Sequence, residues 1–284
     1  MANLFKAFFF KLRHDLTFKI TLIIGVSLAV FLTLIYLAVD LIAFEKLGVT
    51  LNGQSMLVSS FSPTQNFGLA IPINLLTFTV MEFNQGAIRN KIIAGHSKAK
   101  LYTSIFLTGL IFTFVLIAVY SLLTFGLGCA IGGLTPQVVE MGGEGAEEMA
   151  SAGIGTLYDA NYIWRIIIIA CFSYLSIVSF CVFVATLFRS VGPSIPMVMI
   201  PIVLCSVLAT MSSLFVGEND ALLNVMRIID PLYALSSSEI TMDGMSAYKT
   251  ISDFTFISGI INNIIYTAIF FASGLIIFQR RDVK

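Results

Sequence analysis

Six long uncharged stretches alternate along the chain with shorter segments that carry the charges. The stretches cover residues 20–44, 61–81, 101–130, 166–187, 191–216 and 254–279, and only the first contains a charge, Asp40, near one end. A helix needs about 20 apolar residues to cross the hydrocarbon core of a bilayer. Because that core offers no water to peptide groups, each crossing segment has to be helical. The pattern predicts an all-α membrane protein with six transmembrane helices.

Two of the stretches carry polar or helix-disturbing residues in their interior. The second contains Pro63, Pro72 and Asn74, which suit a helix packed among others or one that lines a watery cavity better than one exposed to lipid. The sixth contains Asn262 and Asn263. We expect these two amides to bond to a neighbouring helix rather than to a ligand.

The basic residues predict the orientation. With six crossings both termini lie on one side, and placing them in the cytoplasm puts most lysines and arginines there, within residues 6–19, 89–100, 189 and 280–284. Such an excess is typical of cytoplasmic loops. Most acids fall on the other side, which agrees with this orientation. We therefore expect a multi-pass protein with both termini in the cytoplasm.

Composition limits the domain organisation and the role of the cysteines. The 284 residues form a single membrane domain, residues 1–284, with no room for a large soluble module, and a mean hydropathy of +0.94 excludes an ordinary soluble fold. The four cysteines lie in or at the ends of apolar stretches, where we expect small buried hydrophobes rather than disulfides. They are Cys129, Cys171, Cys181 and Cys205.

The segment before the first stretch is amphipathic. In a helix over residues 3–14, five apolar side chains share one face, and Lys6 and Arg13 lie opposite. We expect a helix in the inner headgroup layer. A ragged cytosolic extension of the first span is the alternative.

Two outer loops are long. Residues 131–162 are rich in glycine and acids, and a solvated flexible loop is a better interpretation than a cation site because the spacing matches no calcium loop. Residues 217–253 include a moderately apolar piece, residues 221–229, that is followed by Asp230 and Pro231. This piece suits a small outer helix that dips into the headgroups.

The cytoplasmic loop at residues 82–98 is the most informative soluble segment. Local rules predict a short helix from about Asn84 to Ala94, ended by Gly95, with Ser97 as the cap of the next helix. The helix is basic and partly apolar, since Ile88 and Ile92 share a face while Arg89 and Lys91 project elsewhere. Such a helix suits docking into a groove on another protein. An ordinary positive loop at the headgroups is an equally good interpretation from these residues alone.

Two short motifs resemble those of ABC-2-type transporter permeases. One is the run Glu82-x-x-x-Gly86-x-Ile88-Arg89-Asn90-Lys91-x-x-x-Gly95, and the other is the end of the chain, Phe278-Gln279-Arg280-Arg281-Asp282-Val283-Lys284. The amphipathic N-terminus, the six spans and the enlarged last outer loop match the layout of that family as well. One departure is Ala87, where the family commonly has threonine.

The resemblance implies a division of labour between subunits. Two copies, or two related permeases, would face each other in a bacterial plasma membrane, each above a separate ATP-binding subunit. The loop helix would be the coupling helix that sits in a groove of that ATPase. The residues matched to this element are Glu82, Gly86, Arg89, Asn90 and Lys91. Because the pathway in relatives lies between the second and fifth spans, Asn74 is the candidate pathway residue.

The chain lacks catalytic machinery of its own. It has no G-x-x-x-x-G-K-[ST] motif to cradle nucleotide phosphates, and its two histidines, His14 and His96, both adjoin basic cytoplasmic segments. We therefore expect no enzyme activity, no metal site and no cofactor on this chain, with ATP and Mg on the partner ATPase. Besides that ATPase, the expected partners are a second permease and the lipid bilayer, with no nucleic acid.

The expected function is movement of an amphipathic or hydrophobic cargo, a peptide or lipid-like compound, with export as the expected direction. ATP-driven closure of the partner subunits would push on residues 82–95. Two alternatives stay open: a membrane anchor or sensor subunit without transport, and a stand-alone secondary transporter or channel. The lack of an acid in the middle of any of the six stretches argues against the secondary transporter or channel.

Overall fold

Helices make up almost all of the described chain. The computed structural model describes residues 10, 14, 16–47, 52–61, 70–84, 87–134, 157–158, 160–212, 225, 230–236, 239–243 and 246–280. The helices are α1 Leu16–Leu47, α2 Gly53–Ser60, α3 Ala70–Asn84, α4 Ala87–Ile93, α5 Lys98–Gly132, α6 Ala160–Phe188, α7 Val191–Ser212, α8 Tyr233–Ser236 and α9 Asp253–Arg280. The strands are β1 Leu157–Tyr158, β2 Glu239–Asp243 and β3 Ser246–Thr250.

Five helices are long and apolar enough to cross a membrane, namely α1, α5, α6, α7 and α9. The predicted second span corresponds to α3, whose 15 residues reach about 22 Å, less than the roughly 30 Å of a hydrocarbon core. Residues 62–69 of that predicted span lie outside the described residues. An all-α membrane fold is therefore observed, while the sixth crossing stays a prediction.

The short helix α3 lies at the centre of the bundle. It contacts α1, α5, α6 and α7. Most of its side chains are buried, among them Ile71, Leu75, Leu76, Phe78 and Val80, whereas Met81 is exposed. Helices α3 and α5 pack closely at Gly109 of α5, because this residue has no side chain. A Cβ at Gly109 would come 2.9 Å from Cδ1 of Leu75 on α3.

Helix α1 packs through a row of small residues. Its buried positions recur at every fourth residue, at Thr21, Gly25, Ala29 and Thr33, and the helix contacts α5. Small residues let two helix backbones approach closely where no hydrophobic effect drives association. The other faces of α1 carry exposed apolar side chains, including Ile23, Ile24, Phe31 and Leu34.

Contacts between helix termini define two ends of the bundle. At the first, which we call the α4 end, Lys98 at the start of α5 meets Gln279 near the end of α9, and Phe83 near the end of α3 meets Arg189 just after α6. The described parts of three segments predicted to be cytoplasmic, around residues 83–98, 189 and 279–280, therefore gather at one end. Which side of the membrane that end faces stays a prediction. Of the predicted N-terminal helix only Phe10 and His14 are described, and both are helical.

The opposite end, called the sheet end, carries a small sheet that the sequence did not predict. Strand β3 pairs with β2 in antiparallel fashion and with β1 in parallel, in the order β1-β3-β2. The sheet thus ties the chain before α6 to the chain before α9. The helix predicted at residues 221–229 lies outside the described residues, apart from the helical Val225.

Arg165 of α6 fastens the same end. Its guanidinium donates to the carbonyl of Ile251 and to Asp253 Oδ1 at the start of α9, and it lies 5.5 Å from the centre of the Phe256 ring. The two helices run side by side in the same direction from this point, as their successive contacts at Ser176–Asn263 and Ser179–Thr267 show.

Candidate functional site

Helix α4 ends in a Schellman motif. The amide of Gly95 donates to the carbonyl of Ile92 at 2.9 Å and the amide of His96 donates to Lys91 at 3.2 Å, which is the bonding pattern of this motif. Gly95 has φ of +87°, a left-handed conformation that glycine adopts without strain. The predicted stop at Gly95 is confirmed. The helix itself covers Ala87–Ile93, whereas Asn84, the predicted start, belongs to α3.

The next helix begins almost at once. Ser97 has extended backbone angles, and its side chain accepts a hydrogen bond from the amide of Lys100 at 3.4 Å. This confirms Ser97 as the N-cap of α5. Because only residues 94–97 separate α4 from α5, a displacement of α4 passes to α5 with little slack.

One face of α4 is fixed to the bundle. Ile88 is fully buried, and Ile92 packs against the core. Lys91 Nζ lies 3.2 Å from Oε2 of Glu82, which is fully buried near the end of α3. An ionised carboxylate so shielded is very costly without a cation and hydrogen bonds around it. The Glu82–Lys91 pair therefore holds α4 to the central helix.

The opposite face of α4 projects out of the bundle. Arg89 and Asn90 are exposed, and the side chain of Ile93 is 74% exposed. We call these three residues the exposed face of α4. A cation, an amide and an apolar side chain presented on a braced helix provide the mixed chemistry that partner proteins recognise.

Aromatic and cationic groups surround the base of α4. The Phe83 ring lies 5.8 Å from the Phe278 ring and 5.9 Å from the guanidinium of Arg189. Lys98 Nζ donates to the carbonyl of Gln279 at 3.0 Å, and a cation is favourable at a helix C-terminus. Termini of α3, α5, α6 and α9 thus converge beside α4.

The residues singled out from the sequence divide into three groups. Arg89 and Asn90 lie on the exposed face, whereas Glu82 and Lys91 pair beneath it and Gly86 lies outside the described residues. Asn74 is on α3 two turns before Glu82, so it belongs to the interior of the bundle and not to the α4 end. It is half-buried, and its Nδ2 donates to the carbonyl of Ala70 in its own helix at 2.8 Å.

A polar cluster joins α6 to α9 inside the bundle. Asn263 is fully buried; its Oδ1 accepts from the Ser176 hydroxyl at 2.8 Å, and its Nδ2 lies 3.2 Å from the Ser173 hydroxyl. The same Nδ2 donates to the carbonyl of Pro231 at 3.0 Å. The prediction that this amide bonds to a neighbouring helix is confirmed.

Residues 230–236, which we call the inserted segment, reach deep between helices. Asn263 lies ten residues after Asp253, so its bond to Pro231 sets the segment about 15 Å inward from the start of α9. Leu232, Tyr233 and Ala234 of the segment are buried, and its helix α8 contacts α6, α7 and α9. The site of insertion depends on Gly259, because a Cβ there would meet the Ala234 Cβ at 2.6 Å.

Asp230 at the start of this segment is a buried acid. Its side chain is 4% exposed, and Oδ1 accepts from the amide of Leu232 at 2.8 Å. The Cys205 thiol of α7 also hydrogen-bonds to this carboxyl. Burial raises the pKa of this carboxyl to about 6, against the lowering effect of its hydrogen bonds. The sequence alone gave no sign of this burial, because it depends on how the segment folds back between α6, α7 and α9.

The long helices turn apolar faces outward, as a protein in lipid does. On α9 the exposed residues follow a helical stripe that includes Ile257, Ile261, Ile264, Ile265 and Ile269. Together with the five long apolar helices, this defines the chain as a multi-pass helical membrane protein. Comparison with protein-family models, with curated proteins and with solved structures finds no match for the chain.

Proposed function

We propose that this chain is the permease subunit of an ABC transporter of the ABC-2 type, driven by ATP hydrolysis on a separate subunit. The observation that carries the proposal is the construction of α4. One face is anchored by Ile88 and by the Lys91–Glu82 pair, while the other presents Arg89, Asn90 and Ile93 to solvent. A helix that only filled a loop would need no such anchoring, whereas one that receives force from a partner does.

The route of the force is short. Glu82 belongs to α3, which contacts α1, α5, α6 and α7, and Ser97 caps the start of α5 directly after α4. In the proposed mechanism, closure of the ATP-binding subunits moves α4, and α3 and α5 move with it. Because packed helices shift between discrete arrangements, such a movement changes access to the centre of the bundle from one side to the other.

The proposed cargo is amphipathic or hydrophobic, such as a peptide or lipid-like compound, and the proposed direction is export. Support comes from the interior around α3, which is lined by apolar side chains with few polar ones, among them the half-buried Asn74. A strongly charged cargo would find no fixed counter-charge there among the described residues of α3 before Glu82.

The test is purification of the tagged chain from its native membranes, followed by identification of what accompanies it. We expect an ATP-binding subunit with a Walker motif. Arg89→Glu and Asn90→Glu should reduce its recovery by at least about tenfold, because each places a charge of the wrong sign in the contact. Asn161→Glu is the matched control, since Asn161 is exposed at the opposite end, on α6.

The outcomes separate the candidate functions. Unchanged recovery of the ATPase with Arg89→Glu would show that the exposed face of α4 is not the docking site. An ATPase that is retained but supports no ATP-dependent transport in liposomes would leave the anchor or sensor alternative. Absence of any Walker-motif companion from native membranes would refute the proposal.

A stand-alone secondary transporter is the second candidate because of one observation, the buried carboxyl of Asp230 within the depth of the bundle. Ion-coupled transporters use such groups away from the membrane surface. Liposomes that contain only this chain test it: a flux driven by a proton gradient and abolished by Asp230→Asn would favour this candidate over the first.

A further inference from the structure

The inserted segment holds its acid in surroundings that do not suit a negative charge. Asp230 is 4% exposed. Oδ1 accepts from the Leu232 amide, and the Cys205 thiol, a weak donor, is the one side chain that hydrogen-bonds to this carboxyl among the described residues. An ionised carboxylate loses its hydration on burial and regains it only through hydrogen bonds or a cation. The neutral acid loses far less, so the packing favours the form that carries a proton.

The groups that face Asp230 do not supply a compensating positive charge. Cys205 of α7 and Tyr266 of α9 are the titratable side chains whose electrostatics couple to it, and Tyr233 lies next to it in the inserted segment. Helix α6 approaches the segment through the uncharged Ser173–Asn263 pair, and its Arg165 is engaged by Asp253. Within the described part of the chain, no lysine or arginine forms an ion pair with Asp230.

The rest of the segment is held by contacts that do not depend on charge. The carbonyl of Pro231 accepts a hydrogen bond from Asn263 Nδ2. The Ala234 side chain packs against Gly259, where there is no side chain in its way. Asp230 is thus the single titratable carboxyl in a well-packed insertion, among the described residues 230–236. Its protonation state can change the free energy of seating the segment without changing the other contacts.

We propose that Asp230 is a proton-binding site that controls whether the inserted segment stays seated between α6, α7 and α9. The carboxylate takes up one proton from hydronium, which becomes water, to form an O–H bond on the carboxyl, and no other covalent bond in the protein forms or breaks. With the proton bound, the segment is seated. When the proton leaves, the charged carboxylate is drawn towards water and the segment loosens. The inference does not depend on an ATPase partner.

The direction of the pH dependence follows from burial, which raises the pKa of Asp230 from 3.8 to about 6. A group whose pKa is raised by folding stabilises the folded state most when it is protonated. This contribution is complete below the unfolded pKa and is lost as pH rises through the folded one. The seated form is therefore favoured in acid, and loosening is expected as pH increases through about 6.

Cys205 provides a local probe of the seating. In a variant with Cys129→Ala, Cys171→Ala and Cys181→Ala, the rate of modification of Cys205 by N-ethylmaleimide is followed from about pH 5 to about pH 8. A sister variant that keeps only Cys171, which is exposed on α6, corrects for the intrinsic pH dependence of a thiol. The corrected rate at Cys205 should rise at least about tenfold across this range, since one pKa unit corresponds to tenfold.

Asp230→Asn is the matched variant because it keeps the acceptor for the Leu232 amide and cannot ionise. Its corrected rate should stay low at every pH, close to that of the wild-type side chain in acid. A rate that does not change with pH when Asp230 is present, or an equal rise in Asp230→Asn, would overturn the proposal.

A second measurement uses the chain with all its cysteines, in case their replacement impairs folding. The Tm of the natural chain, relative to that of Asp230→Asn, should fall as pH is raised through about 6. A difference in Tm that is constant with pH would equally overturn the proposal.

Discussion

Lys91 on α4 places its ammonium nitrogen 3.2 Å from Oε2 of Glu82, and the two side chains are 23% and 0% exposed. The pair links a surface helix to the central helix of the bundle. In such a pair the net stabilisation is small, but loss of one partner is severe because the other charge is left buried.

Lys91→Ala should therefore destabilise the protein by about 2–4 kcal/mol, near the range for breaking a buried pair. Arg89→Ala, on the exposed face of the same helix, should change stability by less than about 0.5 kcal/mol. Thermal unfolding in detergent compares the two variants. If Lys91→Ala unfolds at the temperature of Arg89→Ala, the pair does not anchor α4. Adding Glu82→Gln to Lys91→Ala should recover most of the loss, because no buried charge then remains.

Gly274 of α9 leaves space for the hydroxyl of Tyr102 on α5. A Cβ at this position would lie 2.1 Å from the hydroxyl oxygen, so Gly274→Ala should destabilise the protein by about 1–3 kcal/mol through overpacking. Gly126→Ala is the control, because nothing lies within 4 Å of its Cβ position. That control should gain up to about 1 kcal/mol from helix propensity. Both effects appear as shifts of Tm.

A second substitution, Tyr102→Phe, tests whether a steric clash causes the loss of stability in Gly274→Ala. The Tyr102 hydroxyl has no hydrogen-bond partner among the described residues, so Tyr102→Phe alone should have little effect. Combined with Gly274→Ala it should restore part of the lost Tm, since it removes the closest clashing atom. Additive effects of the two changes would contradict the steric explanation.

Asn263→Leu should destabilise the protein by about 2–3 kcal/mol, because it leaves buried polar groups of α6 and of the inserted segment without their partner. The Pro231 carbonyl and the Ser173 hydroxyl are the groups affected. Asn161→Leu is the matched control, as Asn161 is exposed in the first turn of α6. Equal Tm values for the two variants would show that the polar cluster contributes no stability.

We expect the hydrogen bond from Arg165 to the Ile251 carbonyl to contribute more to stability than its ion pair with Asp253. The Asp253 side chain is 82% exposed, and an ion pair in water contributes at most about 1 kcal/mol. The buried Ile251, by contrast, has its carbonyl as an acceptor of the same guanidinium. Arg165→Met should therefore destabilise the protein by about 1.5–3 kcal/mol and Asp253→Asn by less than about 0.5 kcal/mol. The opposite order of Tm values would contradict this assignment.

Local rules predicted the α4 region well because its structure is decided within a few residues. Glycine is the residue type that adopts φ of +87° without strain, as Gly95 does here. Serine is one of the favoured N-cap residues, and Ser97 has that role at the start of α5. The same rules could not show which face of α4 is buried. That depends on Glu82, which is brought under Lys91 only when α3 and α4 pack together.

The second apolar stretch was harder to predict because hydropathy does not report where a helix begins. The sequence predicted one span at residues 61–81. The structure describes a separate helix α2 that ends at Ser60 and a helix α3 over Ala70–Asn84, and residues 62–69 lie outside the described part of the chain. Asn52, whose side chain accepts from the Ser55 amide, was an available sign of a separate helix.

The β2–β3 hairpin of the small sheet is weakly indicated in the sequence. Residues 239–243 alternate polar and apolar, and two residues, the first a glycine, separate the paired Asp243 and Ser246, as is typical of a tight hairpin. Its parallel partner β1 is distant in the sequence and has only two residues. Pairing of that kind is set by tertiary packing, so no local pattern predicts it.

The connections between α6 and α9 extend well beyond the sheet end. After Arg165 and Asn263, the hydroxyl of Ser179 donates to the carbonyl of Thr267 at 3.0 Å, and the rings of Phe180 and Phe270 lie 4.7 Å apart. Two helices joined at successive levels open only when all of these joints break together. Among the described residues, backbone amides of this pair should therefore be the slowest to take up deuterium, and the two helices should move as one rigid body in any conformational change.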